Sequence, residues 1–231
     1  MSLPFDSFTL AAPTADLGVE PAARADADCV EFRMDLADAP LAALESYGGD
    51  LPILATNRAA WEGGEAAEAG RLDALAAAVD HDAVAAVDIE LAALEADAPG
   101  DADRADDLLG AARAAGVSVV VSTHDFEATP SEADLLDRLH RASDYGDVGK
   151  IAVTAHDAGD ALSVLSVTHE LTRAGVDVAT MAMGAAGSHT RAVAPIYGSK
   201  IGYAPVAPDE ATAPGQYDLE TLRGLVDRLS E

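Results

Sequence analysis

The sequence predicts an α/β protein, one domain over residues 1–231, closed into a (β/α)8 TIM barrel, and three observations carry the prediction. Short apolar, β-rich runs alternate with Ala/Leu-rich amphipathic segments, and the alternation repeats eight times. The 231 residues lie at the lean end of the length that eight βα units occupy. Charged and polar residues recur where the apolar runs end, which in a closed barrel is where reactive groups gather. An open doubly wound sheet is the alternative. Against it, the first run is not followed by Gly-x-Gly-x-x-Gly, and no P-loop occurs.

Strands are expected at Phe8–Ala12, Cys29–Met34, Ile53–Asn57, Ala85–Leu91, Ser118–Ser122, Lys150–Thr154, Val178–Met183 and Ile201–Pro205. Val119-Val120-Val121 and Ile151-Ala152-Val153 are continuous apolar runs, as strands buried on both faces require. Helices are expected at about 15–24, 38–47, 66–80, 101–115, 131–144, 158–174, 187–194 and 218–230. Arg71 to Val79 shows the i, i+3, i+4, i+7 spacing of one buried helix face. Because side chains alternate along a strand, Glu31 and Arg33 share one face, and so do Asp88 and Glu90. Two charged i, i+2 pairs in such apolar strands point to the barrel mouth.

The composition narrows the function. With 41 acidic against 14 basic residues the formal charge is −27, so no segment supplies the basic footprint that nucleic acid needs. Carboxylates crowd Ala-rich helical segments such as Asp101 to Asp107, a halophilic pattern suited to concentrated salt, where the Debye length falls to about 3 Å and self-repulsion becomes tolerable. No apolar stretch approaches the roughly 18 residues of a membrane span. The first residues lack a basic region followed by an apolar run, so no signal peptide is expected. A single cysteine, Cys29, forms no intramolecular disulfide and is read as a small buried hydrophobe in a cytoplasmic protein.

Lysine is nearly absent. Only Lys150 and Lys200 stand against twelve arginines, so each survivor is a candidate for a specific task. Lys150 opens the sixth expected strand, where an apolar frame favours a neutral amine able to attack a carbonyl. A lysine at a strand's entrance can equally snorkel to solvent, and the local residues leave the two readings even. His124, in Ser122-Thr123-His124-Asp125-Phe126, lies at a strand's C-terminal end, where imidazole can shuttle protons. The bland alternative is a hydrogen-bonded loop histidine, which is the reading for His81, His140, His156, His169 and His189. Metal chemistry finds no His-x-x-x-His or Cys-x-x-Cys, and Asp88-Ile89-Glu90 alone is an incomplete ligand set, so no metal is expected. Trp61 is read as packing on the barrel rim.

Taken in order, these segments resemble the type I 3-dehydroquinate dehydratases. The resemblance runs from about Glu31 to Gln216. It rests on Glu31-Phe32-Arg33-Met34-Asp35, Arg58-Ala59-Ala60-Trp61-Glu62-Gly63-Gly64, Asp88-Ile89-Glu90, Ser122 to Phe126 and Gly149-Lys150-Ile151-Ala152. It continues through Met183-Gly184, Gly187, Arg191, Gly198-Ser199 and Ala213-Pro214-Gly215-Gln216. The resemblance implies Lys150 as the Schiff-base lysine, His124 as general acid/base, and Glu62 as the carboxylate that orients the histidine. It implies Arg191 as the grip on a substrate carboxylate and Glu31, Arg33 and Arg58 as holders of the ring hydroxyls. Gln216 and Thr212 fall on the loop that closes over the ligand. The implied activity is Schiff-base syn dehydration of 3-dehydroquinate to 3-dehydroshikimate, without cofactor, in a homodimer. The sequence departs from the family at Thr212, where serine is common, at Lys200, read as a solvated rim charge, and in an acidic, proline-rich lid over Ala204–Ala213. A class I aldolase would need a phosphate cradle, for which Gly184-Ala185-Ala186-Gly187 could supply backbone N–H groups. A non-catalytic barrel that binds an anionic metabolite is the reading from another class.

Overall fold

The computed structural model describes residues 2–95, 102–207 and 215–230. Eight parallel strands among them form one sheet: β1 Thr9–Thr14, β2 Cys29–Arg33, β3 Ile53–Thr56, β4 Val84–Glu90, β5 Ser118–Asp125, β6 Val148–Thr154, β7 Val178–Met183 and β8 Ile201–Tyr203. The order is β7-β6-β5-β4-β3-β2-β1-β8. At the seam between β7 and β8 the ladder gives way to two bonds. The Lys200 amide donates to the Val178 carbonyl at 2.8 Å. The Thr180 amide donates to Ser199 Oγ at 3.0 Å. The barrel is therefore nearly closed, as the eightfold alternation predicts.

Alternation along the strands sorts the side chains into two cores. Leu54, Ala86, Val120, Val148 and Ala179 fill the barrel interior together with Leu3 and Phe5, which close its N-terminal end. The outward residues, such as Phe32, Ile53, Val87 and Val119, pack against helices α3 (Arg71–Val79) and α5 (Ala102–Ala115). Helices α6 (Glu132–Tyr145) and α7 (Ala158–Arg173) cover β6 and β7. Among the described residues no helix is long and apolar enough to cross a membrane.

Several boundaries move, each for a local reason. β1 continues through Pro13, where the sequence suggested a stop. Ala11 faces β8, since its carbonyl accepts from the Ala204 amide at 3.1 Å. Pro13 shares that side but lies beyond the end of β8, so its missing N–H removes no ladder bond. β5 runs three residues past Ser122, because Thr123, His124 and Asp125 pair with Ile151, Ala152 and Val153. β6 begins at Val148, which makes Lys150 its third residue and not its opening one. The helix expected at 66–80 starts only at Arg71, after Gly70 at φ 81°. The one expected at 187–194 is two short turns, α8 (Gly184–Gly187) and α9 (Thr190–Val193). Helix α1 (Glu20–Ala23) and helix α2 (Pro40–Glu45) are shorter than expected, while α10 (Leu219–Ser230) falls where predicted. A turn of helix at Leu91–Leu94, α4, had no counterpart in the sequence reading.

Candidate active site

The third layer of the barrel interior is ionic. Moving up each strand by two residues from the apolar layer replaces Cys29 by Glu31, Leu54 by Thr56, Ala86 by Asp88, Val120 by Ser122 and Val148 by Lys150. Strand register brings these close, with Ser122 opposite Lys150 and Thr56 opposite Asp88. The charges sit at the floor of an open cleft lined by Glu31, Arg33, Arg58, Glu62, His124, Lys150, Arg191 and Gln216 among others.

Lys150 is 4 % exposed, which rules out the snorkelling reading. Its frame is not the apolar one that its chain neighbours suggested. Nζ lies 2.9 Å from Asp88 Oδ2 and 4.4 Å from the centroid of the Tyr203 ring. Asp88 is itself held from the other side. Arg58 Nη2 lies 2.8 Å from its Oδ1, and Ser122 Oγ donates to the same oxygen while accepting from Arg58 Nη1 at 2.7 Å. Buried among these cations and donors, the Asp88 carboxyl is held below the ordinary range, because Arg58 and Lys150 outweigh the cost of burial. Against its own desolvation, Arg58 is pushed up by Asp88, Glu90 and Glu62.

Glu62 arrives on a 3-10 turn, Ala60–Glu62, fixed at both ends. The Ala59 amide donates to Glu90 Oε1 at 3.0 Å, and Gly63 follows at φ 80°. Glu62 Oε1 accepts from the His124 backbone N–H at 2.7 Å and stands 3.2 Å from His124 Nδ1. Burial raises Glu62 to about 7, with Arg58 pulling it back toward the ordinary range. Burial also lowers His124 well below its usual value, and the nearby charges of Arg58 and Lys150 add to the shift. Phe126 stacks on the imidazole at 5.8 Å between centroids and 7° between planes. The arrangement offers a neutral imidazole whose Nδ1 side faces a carboxylate, beside an amine held at the end of an ion pair.

Arg191, from α9, is 4 % exposed and reaches the cleft from the β7 side, and burial pushes it down to about 10. Arg33 also lines the cleft, but its fork is bidentate to Asp35, with Nε at 2.8 Å and Nη2 at 2.6 Å. Glu31 accepts from Thr56 Oγ1 at 3.0 Å. The expected set of Lys150, His124, Glu62, Glu31, Arg33, Arg58, Arg191 and Gln216 therefore meets in one cleft. Thr212, and most of the expected lid, lie outside the described residues. Lys200 stands at the opposite, N-terminal end of β8, 3.2 Å from Asp177, far from the cleft's strand ends. Gly187, weighed as a phosphate cradle, meets a packing need: a Cβ there would sit 2.6 Å from the Ala182 carbonyl carbon. Asp88, Ser122 and Tyr203 join the site without a chemical role expected from the sequence. The i, i+2 alternation puts Asp88 at the barrel mouth, and carried on to β5 it puts Ser122 on the inward face as well.

Comparison with known proteins identifies the family and the fold. The family model described as "Type I 3-dehydroquinase" matches residues 9–230. The 3-dehydroquinate dehydratase of Haloarcula marismortui is 65 % identical over 226 residues, covering 97 % of each chain. That of Halobacterium salinarum is 58 % identical, covering 96 % of this chain and 97 % of its own. The crystal structure of 3-dehydroquinate dehydratase from Geobacillus kaustophilus superposes with a TM-score of 0.84 at 29 % identity, over 97 % of this chain and 92 % of the other.

Proposed function

The chain belongs to the type I 3-dehydroquinase family, and from that premise we propose how its own residues dehydrate 3-dehydroquinate. The enzyme is a hydro-lyase that converts 3-dehydroquinate to 3-dehydroshikimate in the shikimate pathway of aromatic amino-acid biosynthesis. The observation that carries the residue assignment is the pairing at the cleft floor: a buried lysine amine and a neutral histidine backed by a carboxylate, within one cavity.

Lys150 gives an ammonium proton to solvent and attacks the substrate ketone through Nζ. A second proton passes from nitrogen to oxygen to give the neutral carbinolamine, a proton returns from solvent to that oxygen, and it leaves as water with a protonated imine behind it. This positive nitrogen is an electron sink beside the C2–H bond. His124 Nε2 takes the C2 proton, its Nδ1–H directed at Glu62. The resulting enamine expels the β-hydroxyl, which leaves with the same proton from His124. One base on one face gives syn elimination. Water then cleaves the imine and returns Lys150. Arg191 grips the substrate carboxylate with a planar fork, and Glu31, Arg58 and Arg33 hold the ring hydroxyls. Arg33 would have to share its fork with Asp35 to do so. Gln216, which lines the cleft, covers the ligand, and Thr212 is assigned to the same task on the family resemblance alone.

No cofactor or metal enters this scheme, and one barrel domain over residues 1–231 performs it. The proposal extends to a cytoplasmic location, which a single buried, unpaired cysteine suits, and to a homodimer, which rests on the family resemblance alone. The aldolase and non-catalytic readings have no observation in their favour. The test is the appearance of the conjugated enone product, followed by its ultraviolet absorbance in molar salt. Wild type is expected to form it, and Lys150→Ala to form none above background. Equal rates in the two proteins would refute the assignment.

A further inference from the structure

We propose that Asp88 is a positioning residue for the covalent step: the fixed counter-ion that holds Lys150 Nζ in place and keeps the imine protonated. The inference rests on the Schiff-base reading of Lys150. Asp88 is 1 % exposed and meets Nζ directly, with Oδ2 at 2.9 Å. No other carboxylate of the cleft has a contact with Nζ among the described residues. Its second oxygen is tied by Arg58 and by Ser122, so the carboxylate cannot swing away when Nζ changes its chemistry. The Tyr203 ring supports the nitrogen from a further side, presenting its negative face at 4.4 Å.

The charge balance explains why such a rigid partner suits this reaction. Overall, R–NH3+ plus O=C gives R–NH+=C plus water. Two of the nitrogen's hydrogens leave in the water, one stays, and the charge on nitrogen is +1 before and after. A carboxylate that fits the ammonium therefore fits the iminium too, with one N–H left to donate to Oδ2. The iminium is the form that withdraws electrons from the C2–H bond; the neutral imine does so poorly. The charged or titratable groups around the same cleft come from every wall: Glu31 and Arg33 of β2, Arg58 after β3, Glu62, Glu90 of β4 behind Arg58, His124 of β5, Arg191 of α9 and Tyr203 of β8. The cations among them disfavour a positive imine, and Asp88 is the anion in contact that offsets them.

The test uses cyanoborohydride, which reduces iminium in preference to neutral imine. The whole protein is incubated with 3-dehydroquinate in molar salt across a pH series, and the trapped adduct at Lys150 is measured by mass spectrometry. Wild type is expected to trap up to a basic limb, and Asp88→Asn to move that limb down by about one pH unit or more, with kcat lowered more than KM is raised. Ser122→Ala, which keeps the carboxylate but frees its Oδ1, is expected to move the limb the same way by less. If Asp88→Asn does not fold, Ser122→Ala decides the question. A limb unmoved in the folded variant overturns the inference. A wild type that traps nothing overturns instead the Schiff-base reading beneath it, so the two failures are distinguishable.

Discussion

Glu62 and His124 are joined twice through a single oxygen: Oε1 accepts from the His124 backbone N–H at 2.7 Å and lies 3.2 Å from Nδ1 of the same residue. The backbone bond fixes where the carboxylate stands, and the carboxylate then fixes which imidazole nitrogen carries the proton. With Nδ1–H turned toward Glu62, Nε2 is the atom left to work in the cleft.

That coupling sets the pH response. His124 is depressed by burial and by neighbouring cations, so it remains an unprotonated base well into the acid range. Glu62, raised to about 7, takes up a proton first as pH falls and ceases to anchor Nδ1–H. Wild-type kcat/KM is therefore expected to drop below about pH 7, as a property of the pair. Glu62→Gln is expected to have a lower plateau and to lose that limb. An acid limb persisting near 7 in the variant would contradict the assignment.

The same shift has a stability sign. The folded state holds the Glu62 proton up to about 7, while an unfolded glutamate releases it near about 4.3. Between those values the native state binds more protons, so this residue's contribution to stability declines as pH rises. The pH-dependent part of that decline should vanish in Glu62→Gln, read from urea unfolding at pH 5 and pH 8.

His124→Ala should separate the two halves of the chemistry. General acid–base catalysis is typically worth 10²–10⁴-fold, and turnover is expected to fall by about that much. Imine formation depends mainly on Lys150 and should persist, so the variant should still yield a borohydride-stable adduct. Loss of adduct in a folded His124→Ala protein would show that the histidine is required earlier than proposed.

Behind the site lies a second buried ion pair, Arg71 Nη1 to Glu90 Oε2 at 2.8 Å, with the Arg71 guanidinium 5.6 Å from the Trp61 ring centroid. Trp61 is thus tied to the site's support and is more than rim packing. Arg71→Leu leaves Glu90 with the Arg58 ion pair at 3.3 Å and the Ala59 N–H, both on Oε1, and removes the Arg71 ion pair to Oε2. Breaking a buried pair from one side typically costs about 3–5 kcal/mol, and chemical unfolding should report a loss of that order. A change below about 1 kcal/mol would show the pair to be dispensable.

Gly63 is a point where backbone and packing agree. Its φ is 80°, and an added Cβ would sit 2.4 Å from Phe126 Cζ. A non-glycine residue in that conformation costs about 1–2 kcal/mol, and the Phe126 ring must also move off His124. Gly63→Ala should lower both Tm and kcat. An unchanged kcat would mean that the stacking does not position the imidazole.

The formal charge of −27 predicts salt dependence. Screening shortens the range of repulsion from about 10 Å at 0.1 M to about 3 Å at 1 M. A gain of about 2 kcal/mol would raise Tm by roughly 4–8 °C for a chain of this size. A Tm that is flat between 0.1 M and 2 M KCl would indicate that the carboxylates are not mutually strained.

The sequence made the barrel legible because apolar, β-rich runs alternate eight times with amphipathic segments; a strand's C-terminal end pointed to His124, the scarcity of lysine to Lys150 and the family resemblance to Arg191. What stayed hidden was contact across strands. Nothing along the chain says that Ser122 stands opposite Lys150, or that Asp88 of β4 reaches its Nζ, because register is a property of the closed sheet. The expected apolar frame for Lys150 followed from Ile151, Ala152 and Val153, which are chain neighbours, whereas the ionic frame comes from β3, β4 and β5. Polar strand ends misled in the same way: Thr123-His124-Asp125 reads as a loop until its pairing with β6 is known.

The central claim, that Lys150 forms the imine, is tested most directly by mass spectrometry after borohydride reduction with 3-dehydroquinate. A single ligand-sized adduct on the peptide carrying Lys150, absent from Lys150→Ala, is the predicted result. An unmodified Lys150, or an adduct on Lys200, under conditions that trap a control Schiff base, would contradict it.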